Sequence, residues 1–195
     1  MADPITTRAP SGATGVLILA SGEMLWGKGF GAQGAGVGEV CFNTAMTGYQ
    51  EVMTDPSYAK QIVNFTFPHI GNVGANLEDM EATNAHAIGA IVRQDVTDPS
   101  NFRATQHFDA WMKANGRIGL SGIDTRALTR LIRVRGAPNA VIAHFDPQAP
   151  FAFDHFLDQV REWPGLEGMD LAKDVTTLQS YGWDGGLWTL GQGYA

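Results

Sequence analysis

No apolar run in this chain is longer than VLILA, Val16–Ala20. A membrane-crossing helix takes about 20 apolar residues, so a core here has to be assembled from short pieces. Those pieces follow one another closely, and each is bounded by Gly, Pro or a polar cluster, the punctuation of strands and short helices. Val16–Ala20 and Glu23–Trp26 predict two strands around a Ser-Gly turn. Residues Gly27–Gly38, GKGFGAQGAGVG, are a glycine-rich segment in which Gly29–Gly34 reads as a turn, followed by a strand over Glu39–Asn43. Met46–Asp55 predicts a short helix stopped by Pro56, and Gln61–Phe67 a strand closed by Pro68.

In the second half the period changes. Ala87–Arg93 predicts a strand, and Phe108, Trp111 and Met112 lie at helical spacing within Thr105–Ala114. Ile118–Ile123 is short and apolar. Asp124 is placed to cap a helix over Thr125–Val134 that buries Leu128, Leu131 and Ile132 and stops at Gly136. A strand over Val141–Phe145 and a helix over Phe151–Trp163 follow, and the tail from Pro164 shows little periodicity. Strands dominate early and alternate with helices later, which predicts a mixed α/β domain.

With 195 residues, 44% of them hydrophobic and 17% charged, the chain is long enough to bury a core. Its net charge of −7 argues against nucleic-acid binding, which needs clustered cations to neutralise phosphates. A single cysteine, Cys41, leaves no disulfide framework or Cys-rich zinc site and suits a reducing, cytoplasmic setting. The leader MADPITTRAPSGATG has no apolar core of signal-peptide length, so neither export nor membrane contact is expected.

Several patterns invite a chemical reading. Gly29-Phe-Gly31-Ala-Gln-Gly34 matches G-x-G-x-x-G, but a strand and not a helix is predicted after it, so no helix N-terminus faces a pyrophosphate. Cys41 falls within Val40-Cys-Phe42 beside Glu39, without a local cation to lower its pKa, and reads as a packed strand residue. Ser57, His69 and Asp55 supply the residue types of a hydrolase triad without a nucleophile-elbow sequence. His69, His86, His107, His144 and His155 show no metal-ligand spacing, and no metal or cofactor is expected. Arg126, Arg130, Arg133 and Arg135 could form a positive patch, the first three sharing one helical face, which reads first as a solvated surface and second as an anion or partner site. Trp183 and Trp188 fit docking anchors and packing onto their own domain equally.

Three blocks are more specific when read together: GEVCFNTAMTGYQEVMTDPSYAKQIVNFTFPHIGNVGAN, IDTRALTRLIRVRGAPNA and WPGLEGMDLAKDVTT. In order and at length, they closely resemble the N-terminal domain of the small subunit of glutamine-hydrolysing carbamoyl-phosphate synthetase. The resemblance implies a swivelling three-layer β/β/α domain over residues 16–190, after a flexible leader at 1–15. Residues 191–195 then begin a linker to an amidotransferase domain that carries the Cys-His-Glu triad; no such nucleophile segment is present in this chain.

By the same resemblance, the complete enzyme hydrolyses glutamine and passes ammonia to a large, ATP- and Mg-using subunit. It makes carbamoyl phosphate for arginine and pyrimidine synthesis in the cytoplasm. The chain itself is expected to use no cofactor. Its expected partners are the large subunit, the amidotransferase domain and glutamine. Ser57, in TDPSY, is implied to contact glutamine; without the resemblance it reads as a turn serine. One alternative is a stand-alone, non-catalytic scaffold that docks to a synthetase or a separate amidotransferase. Another is a hydrolase using Cys41 or Ser57 by itself; the chain alone is expected to be inactive.

Overall fold

The structure is a computed structural model that describes residues 9–148, 153–177 and 179–194. Strands β1 (Gly15–Leu19), β2 (Met24–Gly31), β3 (Gly34–Asn43), β4 (Gln61–Phe65), β5 (Gly89–Ile91), β6 (Ile118–Ser121) and β7 (Asn139–His144) close into a barrel. Around it the order is β1-β2-β6-β5-β4-β3-β7. The stretch β3-β4-β5-β6 is parallel, and the remaining pairings are antiparallel. Closure leaves these strands without a free edge, which short strands would otherwise expose to pairing with other chains.

Period-two alternation sorts the side chains. Leu17 and Leu19 of β1 join Val40, Ile62, Leu120 and Ile142 in one core cluster. The intervening Val16 and Ile18 instead pack with Val141 and Ala143 against Phe153, Leu157 and Val160 of helix α4 (Phe153–Glu162). Both faces of β1 are therefore buried, which is why its sequence is an unbroken apolar run. Val63, Phe65, Ala90 and Val92 pack on helices α1 (Tyr49–Thr54) and α2 (Phe108–Ala114) through Tyr49, Met53, Phe108 and Trp111. Helix α3 (Thr125–Arg135) adds Leu128 and Ile132 to the cluster around Leu17. The described chain ends with α5 (Ala172–Val175) and a small hairpin of β8 (Trp188–Thr189) and β9 (Gly193–Tyr194).

The predicted α/β mix is present, with one substantial correction. The turn expected over Gly29–Gly34 is confined to Ala32 and Gln33, and the rest of Gly27–Gly38 forms the end of β2 and the start of β3. The glycines there permit close packing. A Cβ on Gly29 would stand 2.1 Å from the His144 ring, and one on Gly119 would stand 2.2 Å from the Phe30 ring. Glycine content that suggests a loop thus serves a crowded barrel wall.

Smaller differences concern ends. Helix α1 starts at Tyr49 because Gly48 is left-handed, and α2 starts at Phe108, where His107 Nδ1 accepts the Asp109 N–H. The strand expected over Ala87–Arg93 is paired only over Gly89–Ile91. Residues 1–8 of the expected leader, the Phe151 start of α4 and Ala195 lie outside the described residues. Among the described residues no helix is long and apolar enough to cross a membrane.

Candidate functional site

The sequence Thr54-Asp-Pro-Ser-Tyr58 leaves α1 and enters a single 3-10 turn, Pro56–Tyr58. Asp55 is extended (φ −67°, ψ 122°), as a residue before proline tends to be, and this ends the helix. Its Oδ1 then accepts the Ser57 N–H at 2.8 Å, capping the turn that Pro56 pre-sets. On the far side, Asn43 Nδ2 donates to the Tyr58 hydroxyl at 3.0 Å, tying the turn to the end of β3. Ser57 is exposed at the tip, and its hydroxyl has no hydrogen-bond partner among the described residues.

The base of this turn is fixed by a polar seam beneath α1. Gln50 is 2% exposed; its Nε2 donates to Asn76 O at 2.6 Å and its Oε1 accepts the Asn76 N–H at 2.9 Å. Tyr49 donates its hydroxyl to Gly74 O at 2.6 Å, and Thr54 Oγ1 accepts the Glu81 N–H at 2.9 Å. Asn76 in turn donates to buried Asp79, which is ion-paired with Arg103. Tyr49, Gln50, Gly74, Asp79 and Arg103 border a cleft of about 220 Å³ at the N-terminal end of α1. Burial raises the Glu51 carboxyl pKa there, and raises the Tyr49 phenol as well. A six-residue helix has little stability of its own, so these bonds and the apolar face of Tyr49 and Met53 hold it.

Cys41 lies on β3 and is packed against the same cluster as Tyr49 and Met53. Burial, then the charge of Glu39, pushes its thiol up to about 12, the opposite of what a thiolate nucleophile needs. Asp55 and Ser57 meet through the Ser57 backbone, and no hydrogen bond joins Ser57 to exposed His69 among the described residues. The triad therefore does not assemble. His69 packs edge-on to Phe67, and His107 Nε2 lies 3.7 Å from Asp98.

Among the described residues no group of His, Cys, Asp and Glu has metal-site geometry. Gly29, Gly31 and Gly34 lie at the end of β2 and the start of β3, two strands that pair with different neighbours, and the element that follows the glycines is a strand and not a helix. Trp183, 63% exposed, stacks edge-on against Tyr194 within the tail itself. Sequence reasoning missed Asp55 as the cap and the Gln50–Asn76 clamp. The first was legible as Asp-Pro before a serine; the second spans two distant segments and leaves no local pattern.

The class these features define is an α/β barrel domain that presents one ordered, hydroxyl-tipped turn and no activated thiol. The chain belongs to the carbamoyl-phosphate synthase small chain family, whose CPSase-domain model matches residues 17–142. It is 63% identical over 179 residues to the carbamoyl phosphate synthase small chain of Zymomonas mobilis subsp. mobilis, covering 92% of this chain and 48% of that one. The protein of the same name from Bradyrhizobium diazoefficiens is 58% identical over 185 residues (93% and 46%). That of Caulobacter vibrioides is 56% identical over 188 residues (94% and 48%). The chain thus spans about half the length of the curated relatives it matches.

Proposed function

We propose that this chain acts as the N-terminal domain of a glutamine-dependent carbamoyl-phosphate synthase small chain, supplying a scaffold, subunit contacts and one glutamine contact. Family membership and half-length coverage of the relatives support that assignment. In this reading an amidotransferase half holds the nucleophile and hydrolyses glutamine. The large chain, using ATP and Mg, turns the ammonia into carbamoyl phosphate for the arginine and pyrimidine pathways in the cytoplasm. The swivelling β/β/α description belongs to the same proposal, with opposite barrel walls as the two β layers and packed helices as the third.

The observation that carries the glutamine contact is the Ser57 turn. A hydroxyl can donate to a carboxylate or accept from an ammonium, the two charged groups of an amino-acid headgroup. Asp55, Pro56 and the Tyr58–Asn43 bond fix the turn beforehand, so little ordering cost falls on binding. The role is orientation: Ser57 holds the substrate while another group attacks.

The test uses the full gene product carrying this chain, assembled with its large chain. Ser57→Ala raises the KM for glutamine by about 10- to 100-fold, the value of a hydrogen bond to a charged group. Carbamoyl phosphate synthesis from added ammonia stays at the wild-type rate. Unchanged glutamine kinetics, or equal loss with both nitrogen donors, contradicts the assignment.

A further inference from the structure

We propose that the outer face of α3 is a docking surface for an acidic patch on another protein, and that Arg126, Arg130 and Arg133 are its contacts. The sequence TRALTRLIRVR turns Leu128 and Ile132 inward and leaves the three arginines exposed. None of the three makes an ion pair among the described residues, although the whole chain carries a net charge of −7. The cations at either end of the face are, by contrast, satisfied: Arg93 pairs with Asp124 at 3.3 Å and Arg135 with Glu23 at 3.1 Å.

Local physics does not account for this arrangement. Arg126 and Arg130 are four residues apart and Arg130 and Arg133 three, so like charges meet on one face and destabilise the helix. The helix dipole favours Arg133 near the C-terminus but disfavours Arg126 in the first turn, where the N-cap carboxylate of Asp124 accepts the Ala127 N–H and pairs with Arg93. A face needed only for solubility would do as well with lysine or interspersed glutamate. This helix has neither, and instead has guanidiniums, which desolvate more readily and pair carboxylates in bidentate fashion. Val134, 84% exposed beside Arg133 and Arg135, adds an apolar contact of the kind interfaces bury. Charge complementarity therefore selects a carboxylate-rich protein surface as the occupant.

Which protein carries that surface rests on the function proposed above: the large chain. The experiment measures binding of the full gene product to the purified large chain at several salt concentrations. The variant Arg126→Gln/Arg130→Gln/Arg133→Gln is compared with Lys113→Gln, a charge removal on α2. All three positions are exposed, so the triple variant keeps its fold, checked by its thermal transition. The triple variant weakens binding at least about tenfold and flattens the salt dependence, whereas Lys113→Gln does neither. Arg→Lys at the three positions restores only part of the affinity. Wild-type binding matched by the triple variant, with the same salt dependence, overturns the docking face and leaves the functional assignment standing. Failure of the wild-type protein to bind the large chain overturns the partner assignment and this inference with it.

Discussion

Helices α1 and α3 both lie against the barrel but are held by different balances of polar bonding and apolar burial. Helix α1 is six residues long and is fastened by buried polar bonds from Tyr49, Gln50 and Thr54 to the loop of residues 74–81. Helix α3 is eleven residues long and is fastened by Leu128 and Ile132 and by two hydrogen bonds from buried Asn64 to Thr125 O and the Thr129 hydroxyl, with all its cations outside. Hydrogen bonds are directional, so the α1 seam fixes position, and the Ser57 turn inherits that placement. Hydrophobic burial is non-directional and leaves the opposite face unconstrained, which suits a surface that meets a partner. In the proposals above, orientation of a small molecule and attachment of a large one would fall to separate helices.

The contrast can be broken from either side. Leu128→Ala should cost the most stability, about 2–5 kcal/mol, because it opens a cavity beneath α3. It should leave hydrogen exchange at the Ser57 amide governed by the same local bond to Asp55. Gln50→Leu should cost less, about 1–3 kcal/mol, by stranding the buried N–H and C=O of Asn76. Here exchange at Ser57 should accelerate beyond what the lost global stability explains. If the two variants perturb Ser57 equally, the distinction between the helices fails.

An effect confined to alkaline pH comes from Cys41, on the barrel wall behind α1. Burial raises its folded-state pKa from the ordinary thiol value of 9.0 to about 12, so the folded protein holds the proton more tightly than the unfolded chain. The stabilisation is fully present below about pH 9 and is lost as pH rises towards 12, by at most about 1.4 kcal/mol per pH unit. Denaturation midpoints of wild type and Cys41→Ala should therefore converge or cross as pH rises above about 9. Parallel pH profiles would show that the thiol is not held protonated by the fold.

Most strands and helices, though not the closure into a barrel, were legible in the sequence because their signals are local. VLILA announces a strand buried on both sides, and Asp124 with the Leu128–Ile132 spacing announces α3. Gly27–Gly38 misled for a physical reason: glycine favours turns when alone, but here Gly29 makes room for the His144 ring, 115 residues further along the chain. Contacts of that range leave no trace in a local pattern. The same holds for the candidate site. TDPS carries its own cap and proline, so the turn could be read, whereas the Gln50–Asn76 clamp joins segments that only folding brings together. The unpaired state of the α3 arginines is of the same kind, because pairing depends on what the fold places opposite them.

The claim that joins these regions is that this chain orients and attaches but does not supply the attacking thiol. Glutamine-dependent carbamoyl phosphate formation by the Cys41→Ala gene product, assembled with its large chain, tests that claim most directly. The account predicts a rate and a glutamine KM equal to wild type, since the Cys41 thiol is packed on β3 and held protonated. Loss of glutamine-dependent synthesis in a folded Cys41→Ala protein, with ammonia-dependent synthesis intact, would contradict it and make Cys41 the nucleophile.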